Sequence, residues 1–143
     1  MSKGDTFEND LMKLIFNATA IANIADNAAS SPLTSLYVAL HTADPGEAGV
    51  QTTSEISYTG YARVAVLRTS GGWTIVGNSV SPVADISFPI STGGTGGTAT
   101  HASVGVAASG GSKILYSGAL SPNIVVTTGV TPIITTGSSI SED

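Results

Sequence analysis

The chain has no cysteine, few charges, few aromatic residues and no long apolar run, and each shortage removes a class of explanation. Without cysteine, neither a disulfide framework nor a thiolate metal site is available to the 143 residues. Charged residues make up only 10%, five basic against ten acidic, for a net charge of −5. The basic residues Lys3, Lys13, Arg63, Arg68 and Lys113 are scattered, whereas a phosphate backbone is met by clustered Lys and Arg. Nucleic-acid binding is therefore not expected. No apolar run approaches the ~20 residues that cross a bilayer, so no membrane partner is expected. Asp5, Glu8 and Asp10 precede the first apolar segment, the reverse of the cationic start of a secretory signal. The expectation is a soluble product made in a cytoplasm.

What the chain does have is glycine, serine and threonine, with 17 glycines, a balance suited to many short strands and tight turns. The length fits one domain with a real core. Its most legible stretch is Ser35 to Gly46, where Leu36, Val38 and Leu40 alternate with Tyr37, Ala39 and His41 in the period of two of a strand. Asp44-Pro45-Gly46 ends it, proline presetting φ and glycine accepting the positive φ of a turn.

Ahead of that strand, Phe7, Leu11, Leu14, Ile15, Ala18, Ile21, Ala22 and Ala25 recur at spacings of three and four, which predicts a helix from Thr6 to about Ala25. Asp5 followed by Glu8 approximates a capping box, and Asp26-Asn27 with Ser30-Ser31-Pro32 stops the helix. A second apolar set, Met12, Phe16 and Ile24, offers a partner contact if exposed. Core packing of the helix is favoured over docking.

Beyond the turn, Glu47 to Ser57 reads as an exposed loop. A strand is expected from Tyr61 to Thr69, turned by Gly71-Gly72 into Trp73–Val76 as a hairpin that brings Arg68 near Trp73. Arg63, among apolar neighbours, is expected to lay its stem on the sheet and pair its head with a carboxylate. Val80 to Ile90 gives short pieces bounded by Pro82 and Pro89, and residues 91–98 a flexible glycine-rich loop. Ala99–Ala107 and Lys113–Leu120 form the clearest hairpin, followed by strands at Ile124–Val126 and Pro132–Thr136. The expected fold is mainly β: a single-domain antiparallel β-sandwich or barrel of about eight short strands (32–143), preceded by one N-terminal α-helix with its cap (1–31).

Chemistry finds little support. His41 and His101 are the only imidazoles, and both lie in strand patterns, where structural histidines are favoured over metal ligands. No Gly-x-Ser-x-Gly elbow is present. Asp44, Glu47, Glu55 and Asp85 lie mainly in loops without an aromatic platform, which disfavours a glycosidase pair. The glycine-rich run lacks the lysine and helix of a phosphate loop. No catalytic residue, metal or cofactor is assigned, and an enzyme is not expected.

Two blocks carry a resemblance: Leu36-Tyr37-Val38-Ala39-Leu40-His41-Thr42-Ala43-Asp44-Pro45-Gly46 and Glu55-Ile56-Ser57-Tyr58-Thr59-Gly60-Tyr61-Ala62-Arg63-Val64-Ala65-Val66. With Ile86–Pro89, Thr100–Val106 and Leu115–Leu120, they make the chain resemble a family of small tailed-bacteriophage virion structural proteins, of head-decoration or tail-fibre-like type. The resemblance implies a non-enzymatic virion protein, made in the host cytoplasm, that contacts the major capsid protein or other virion subunits. A capsid decoration or cement protein on the outer head is the first expectation, and a tail-fibre or tail-tip component in host attachment the alternative. The chain shows neither heptads nor a fixed repeat, so it does not build a long shaft alone. Open strand edges and the two apolar helix faces suggest a homo-oligomer, taken as a trimer. A glycan-binding module on Trp73, Tyr58 and Tyr61 is the second alternative, with core packing of these rings favoured. The residues put forward for partner contact are Met12, Phe16, Ile24 and Trp73.

Overall fold

A computed structural model describes residues 5–21 and 33–142, without the side chain of Asp5. The Asp5 cap, the helix end expected at residues 25–32, and Ala22, Ile24 and Ala25 thus lie outside the described residues. Among the described residues one helix, α1 (Asp5–Asn17), is followed by nine strands: β1 (Ser35–His41), β2 (Val64–Leu67), β3 (Trp73–Val76), β4 (Ser79–Pro82), β5 (Ile86–Ser87), β6 (Gly97–Gly105), β7 (Ile114–Val126), β8 (Ile133–Ile134) and β9 (Ile140–Ser141). They form sheets of order β2-β1-β6-β7, β3-β4-β9 and β5-β8. The fold is mainly β and antiparallel, as expected, and no sheet closes into a barrel. Contacts divide the chain into two compact units, each built from separate segments.

The first unit comprises Met1–Ser35, Leu67–Ile86 and Ile134–Asp143. Here α1 stops at Asn17, earlier than its apolar pattern suggests. Ala18 adopts φ 54°, and the Thr19 N–H reaches back six residues to donate to the Lys13 carbonyl at 3.1 Å, a left-handed closure of the helix end one residue wider than the six-to-one bond of a Schellman motif. The last turn contains no basic residue. Arg68 supplies that charge from a distant part of the chain, donating from Nε to the Ile15 carbonyl and from Nη2 to the Leu14 carbonyl, both at 2.6 Å. These bonds satisfy carbonyls that the helix cannot pair itself and place a cation at its negative end.

The buried stripe of α1 is Glu8, Met12 and Phe16, while Phe7 is 40% exposed. Leu11, Leu14 and Ile15 are only half-buried. Both apolar sets have helical spacing, and the packing partner decides between them: the Trp73 ring meets Phe16 edge to face, with centroids 4.9 Å apart at 66°. Trp73 itself begins β3, which pairs forward with β4 in register Trp73↔Pro82 to Val76↔Ser79. The expected hairpin back to Tyr61–Thr69 is not formed, because Gly77-Asn78 gives β3 a two-residue turn with Gly77 at φ 60°. Thr69–Gly72 coils tightly instead. A Cβ at Gly72 would lie 2.0 Å from the Leu67 carbonyl oxygen, so only glycine fits. β9 adds to β4 through Val80↔Ile140, a strand hidden in a polar Gly-Ser-Ser run.

The second unit comprises Leu36–Val66 and Ser87–Ile133. Within it β1 runs antiparallel to β6 from Tyr37↔Gly105 to His41↔His101. Leu36, Val38 and Leu40 are buried as their alternation demands, and Ala39 and His41 are fully buried as well; the His41 ring is covered by the following segment, whose Thr53 carbonyl it meets at 2.8 Å. The closing turn forms as expected: the Gly46 N–H donates to Asp44 Oδ1 at 2.9 Å, with Gly46 at φ 69°. The β6–β7 hairpin is also as expected, except that β7 absorbs the separate strand expected at Ile124–Val126 and is interrupted opposite Ala99 and His101. Two expectations are corrected. The 47–57 segment is not an exposed loop, since Gln51 and Ile56 are buried. Residues 91–98 are pinned at their start, the Thr59 N–H donating to Gly93 and the Thr92 N–H to Thr59.

Relief of the left-handed strain at Ala18 gives the first prediction. Ala18→Gly removes the Cβ clash of that conformation and should stabilise the chain by about 0.5–1 kcal/mol, read as a higher midpoint in thermal or denaturant unfolding. An unchanged or lower midpoint contradicts the closure described.

Candidate functional site

The densest set of polar side chains in the second unit is gathered around Arg63. The residue directly precedes β2 and is buried, with the Glu55 carboxylate facing it from the segment that follows the Asp44 turn. Arg63 Nε donates to Glu55 Oε1 at 2.7 Å and Nη2 to Oε2 at 2.8 Å, the two-pronged geometry that suits a guanidinium. The remaining donors reach the β6–β7 connection: Nη2 to the Gly110 carbonyl at 2.8 Å, and Nη1 to the Ala107 carbonyl at 3.0 Å and Ser112 Oγ at 3.2 Å. Nη1 also approaches Gln51 Oε1 at 3.3 Å. The carboxylate expected from sequence is thus present, with a ring of further acceptors that no local pattern announces. The bonds to Glu55 raise the Arg63 pKa.

Gln51 closes the ring. Its Nε2 donates to the Tyr37 carbonyl at 2.9 Å, and its Oε1 accepts from Ser112 Oγ at 2.6 Å. Gly105 makes room for it, because a Cβ there would fall 2.1 Å from the Gln51 amide carbon. On the other side Tyr61 donates to Glu55 Oε1 at 2.9 Å and accepts the Leu40 N–H at 3.2 Å. Burial, reinforced by the neighbouring carboxylate, pushes the Tyr61 phenol well above its ordinary range.

His41 lies in the same unit, held at both ring nitrogens. Nδ1 is 2.8 Å from the Thr53 carbonyl, so it carries the proton and donates, leaving Nε2 to accept from Ser103 Oγ at 2.7 Å. Burial lowers its pKa below 6.5, against the opposing pull of Thr53 and Glu55. A serine bonded to a histidine has the outline of a nucleophile and its base. Here both are buried, and the histidine's second nitrogen meets a backbone carbonyl instead of a carboxylate, so the pair serves packing. Among the described residues no group of three or more His, Asp, Glu or Cys is placed to hold a metal ion.

The residues put forward for partner contact are placed elsewhere. Met12 and Phe16 are 0% exposed and Trp73 2%, so these three form the core of the first unit and present no surface to a partner. Ile24 lies outside the described residues. The aromatic platform is not formed either. Tyr58 is buried, T-shaped against Tyr61 at 5.3 Å, and its hydroxyl donates to the Pro89 carbonyl at 2.8 Å, while Tyr61 stacks with Phe88 at 6.3 Å. These rings spend their faces on one another.

The fold alone does not fix a function; the tailed-phage resemblance points to the class of virion structural proteins, and the family comparison points the same way. Residues 3–141 match the family described as podophage GP4 fiber I protein gp80. The chain belongs to this family, and is a phage virion protein of fibre type. No curated protein matches it. The fibre description agrees with the tail-fibre alternative better than with head decoration.

Two predictions follow from the geometry. Arg63→Met strands the Glu55 carboxylate and Arg63→Ala also opens a void, so each should cost about 3–5 kcal/mol in denaturant unfolding, whereas Arg63→Met combined with Glu55→Met should cost less than either single change at Arg63. Equal or greater loss in the double variant contradicts a coupled pair. For His41, the folded pKa is depressed below 6.5, so its contribution is complete above pH 6.5 and is lost as pH falls through the folded value. The unfolding midpoint should therefore drop from about pH 6.5 downward, ahead of carboxylate titration near ~4, and His41→Gln should flatten that limb.

Proposed function

We propose that the protein is a non-enzymatic subunit of a virion fibre that takes part in host attachment through its assembly with other virion components. The observation that carries this reading is the family match over residues 3–141. Two features of the chain support it. The polar side chains with catalytic potential are turned inward and bonded to each other, as a scaffold requires. The absence of heptads or a fixed repeat in the sequence fits a compact fibre component in place of an extended shaft. Decoration of the head is the weaker reading. A glycan-binding role through Trp73 and Tyr58 loses its basis with the burial of both rings.

Gold-labelled antibody against the protein should mark the appendages of purified particles, and deleting its gene should leave filled heads while abolishing adsorption. Label on the head surface, or heads that lose resistance to heat and chelation when the protein is missing, would favour decoration instead.

A further inference from the structure

His41 and His101 are the only imidazoles in the chain, and the β1–β6 ladder sets them directly opposite each other, in a register that runs without a shift from Tyr37↔Gly105 to His41↔His101. Residues paired in this way project from the same face of a sheet, with Cβ atoms about 4.5–5.5 Å apart. The bond from His41 Nε2 to Ser103, two residues beyond His101 on β6, agrees with that face. On its other side His41 bridges Glu55, so Glu55, His41 and His101 form a row across three neighbouring segments. The middle member is fully buried. His101 is half-buried, with Nδ1 2.9 Å from Thr100 Oγ1.

We propose that this histidine pair is an acid-sensitive latch: a proton on His41, opposite His101, opens the 50–56 segment that covers the ring. Three costs attach to that proton. Nε2 ceases to accept, so the buried Ser103 hydroxyl must turn its hydrogen away from the ring nitrogen. The new charge lies out of reach of water. A second imidazolium directly opposite adds like-charge repulsion across the strand pair. The ionisable groups acting on His41 are Glu55, which attracts the proton, and Arg63 and His101, which oppose it. Tyr61 stands behind Glu55 as its hydrogen-bond donor, and β7, on the far side of β6, contains no His, Asp, Glu, Lys or Arg. The attraction of Glu55 is already committed, since both its oxygens accept from Arg63 and one also accepts from Tyr61. Burial first, then Arg63 and His101, hold the His41 pKa below 6.5 against Thr53 and Glu55. The closed form is therefore fully favoured above pH 6.5 and loses ground as pH falls through the folded value. Lifting the 50–56 segment is the direct way to bring water to the ring, because its Thr53 carbonyl lies on Nδ1, whereas β1 and β6 are held together by their ladder. The latch is a property of the folded chain and stands apart from the fibre assignment.

Hydrogen exchange of the full chain, corrected for the intrinsic pH dependence of amide exchange, reads the latch. Protection of backbone amides in 50–56 should fall about tenfold or more between pH 7.5 and pH 5, tenfold corresponding to one pKa unit, while the circular dichroism spectrum stays unchanged. His101→Gln should shrink this loss, and His101→Lys, which fixes a charge opposite His41, should enlarge it. A merely structural role for His101 would not move the acid response in opposite directions. In His41→Gln the loss should disappear, whatever stands at position 101. Protection that does not change with pH in the wild type, or an acid loss of equal size in wild type, His101→Gln and His101→Lys, overturns the proposal. If His101→Lys fails to fold, an acid loss in His101→Gln equal to that of the wild type overturns it.

Discussion

The second unit depends on one buried ion pair. Removing a guanidinium and a carboxylate from water is costly, and the attraction between them repays that cost only when nearly every remaining donor and acceptor is also satisfied. Arg63 meets the condition by reaching Glu55 with two nitrogens and the 107–112 connection with the others. Glu55 meets it by accepting Tyr61 as well. The pair therefore contributes more than Coulomb energy: it obliges two loops and the residue before β2 to adopt one mutual arrangement. Gly105, Gln51 and Ser112 can be understood as conditions on that arrangement, the glycine clearing space and the two polar side chains sharing a proton donor.

Legibility in the sequence followed the range of the interactions. The β1 strand, its Asp-Pro-Gly terminator and the β6–β7 hairpin were readable because alternation and turn chemistry act over a few residues. The end of α1 was not, because its stop is an alanine in a glycine conformation, and the charge at its C-terminal end comes from Arg68, more than fifty positions away in the chain. The buried face of α1 was misread for a related reason. Two apolar stripes have equal claim until Trp73 is known to lie against Phe16, and helical periodicity carries no information about the partner. β3 was assigned the wrong neighbour because Gly71-Gly72 is as good a turn signal as Gly77-Asn78, and the choice between them is made by close approach to Leu67.

The candidate site was half legible. A carboxylate for Arg63 was foreseeable from an arginine set among apolar neighbours. Its identity as Glu55 was not, and the carbonyls of Ala107 and Gly110 are invisible to any side-chain pattern. Gln51 and Ser112 were missed because polar residues in polar segments carry no burial signal. The one available hint was composition: in a chain so poor in charge, a glutamate and an arginine placed close together in sequence have few other partners. The same poverty of charge explains why the family relationship, and not a catalytic constellation, carries the functional reading.

The arrangement around Arg63 also governs how the unit comes apart. The 50–56 and 107–112 loops are rich in glycine, serine and threonine, the kind of segment that ordinarily frays by itself and admits proteases. Here neither loop can open without stranding a guanidinium or a carboxylate away from its partners, so the cost of a local excursion approaches that of a larger one. Backbone amides in the two loops should accordingly exchange with solvent as a single cooperative block, and a surface that looks vulnerable to digestion is protected by a bond in its interior.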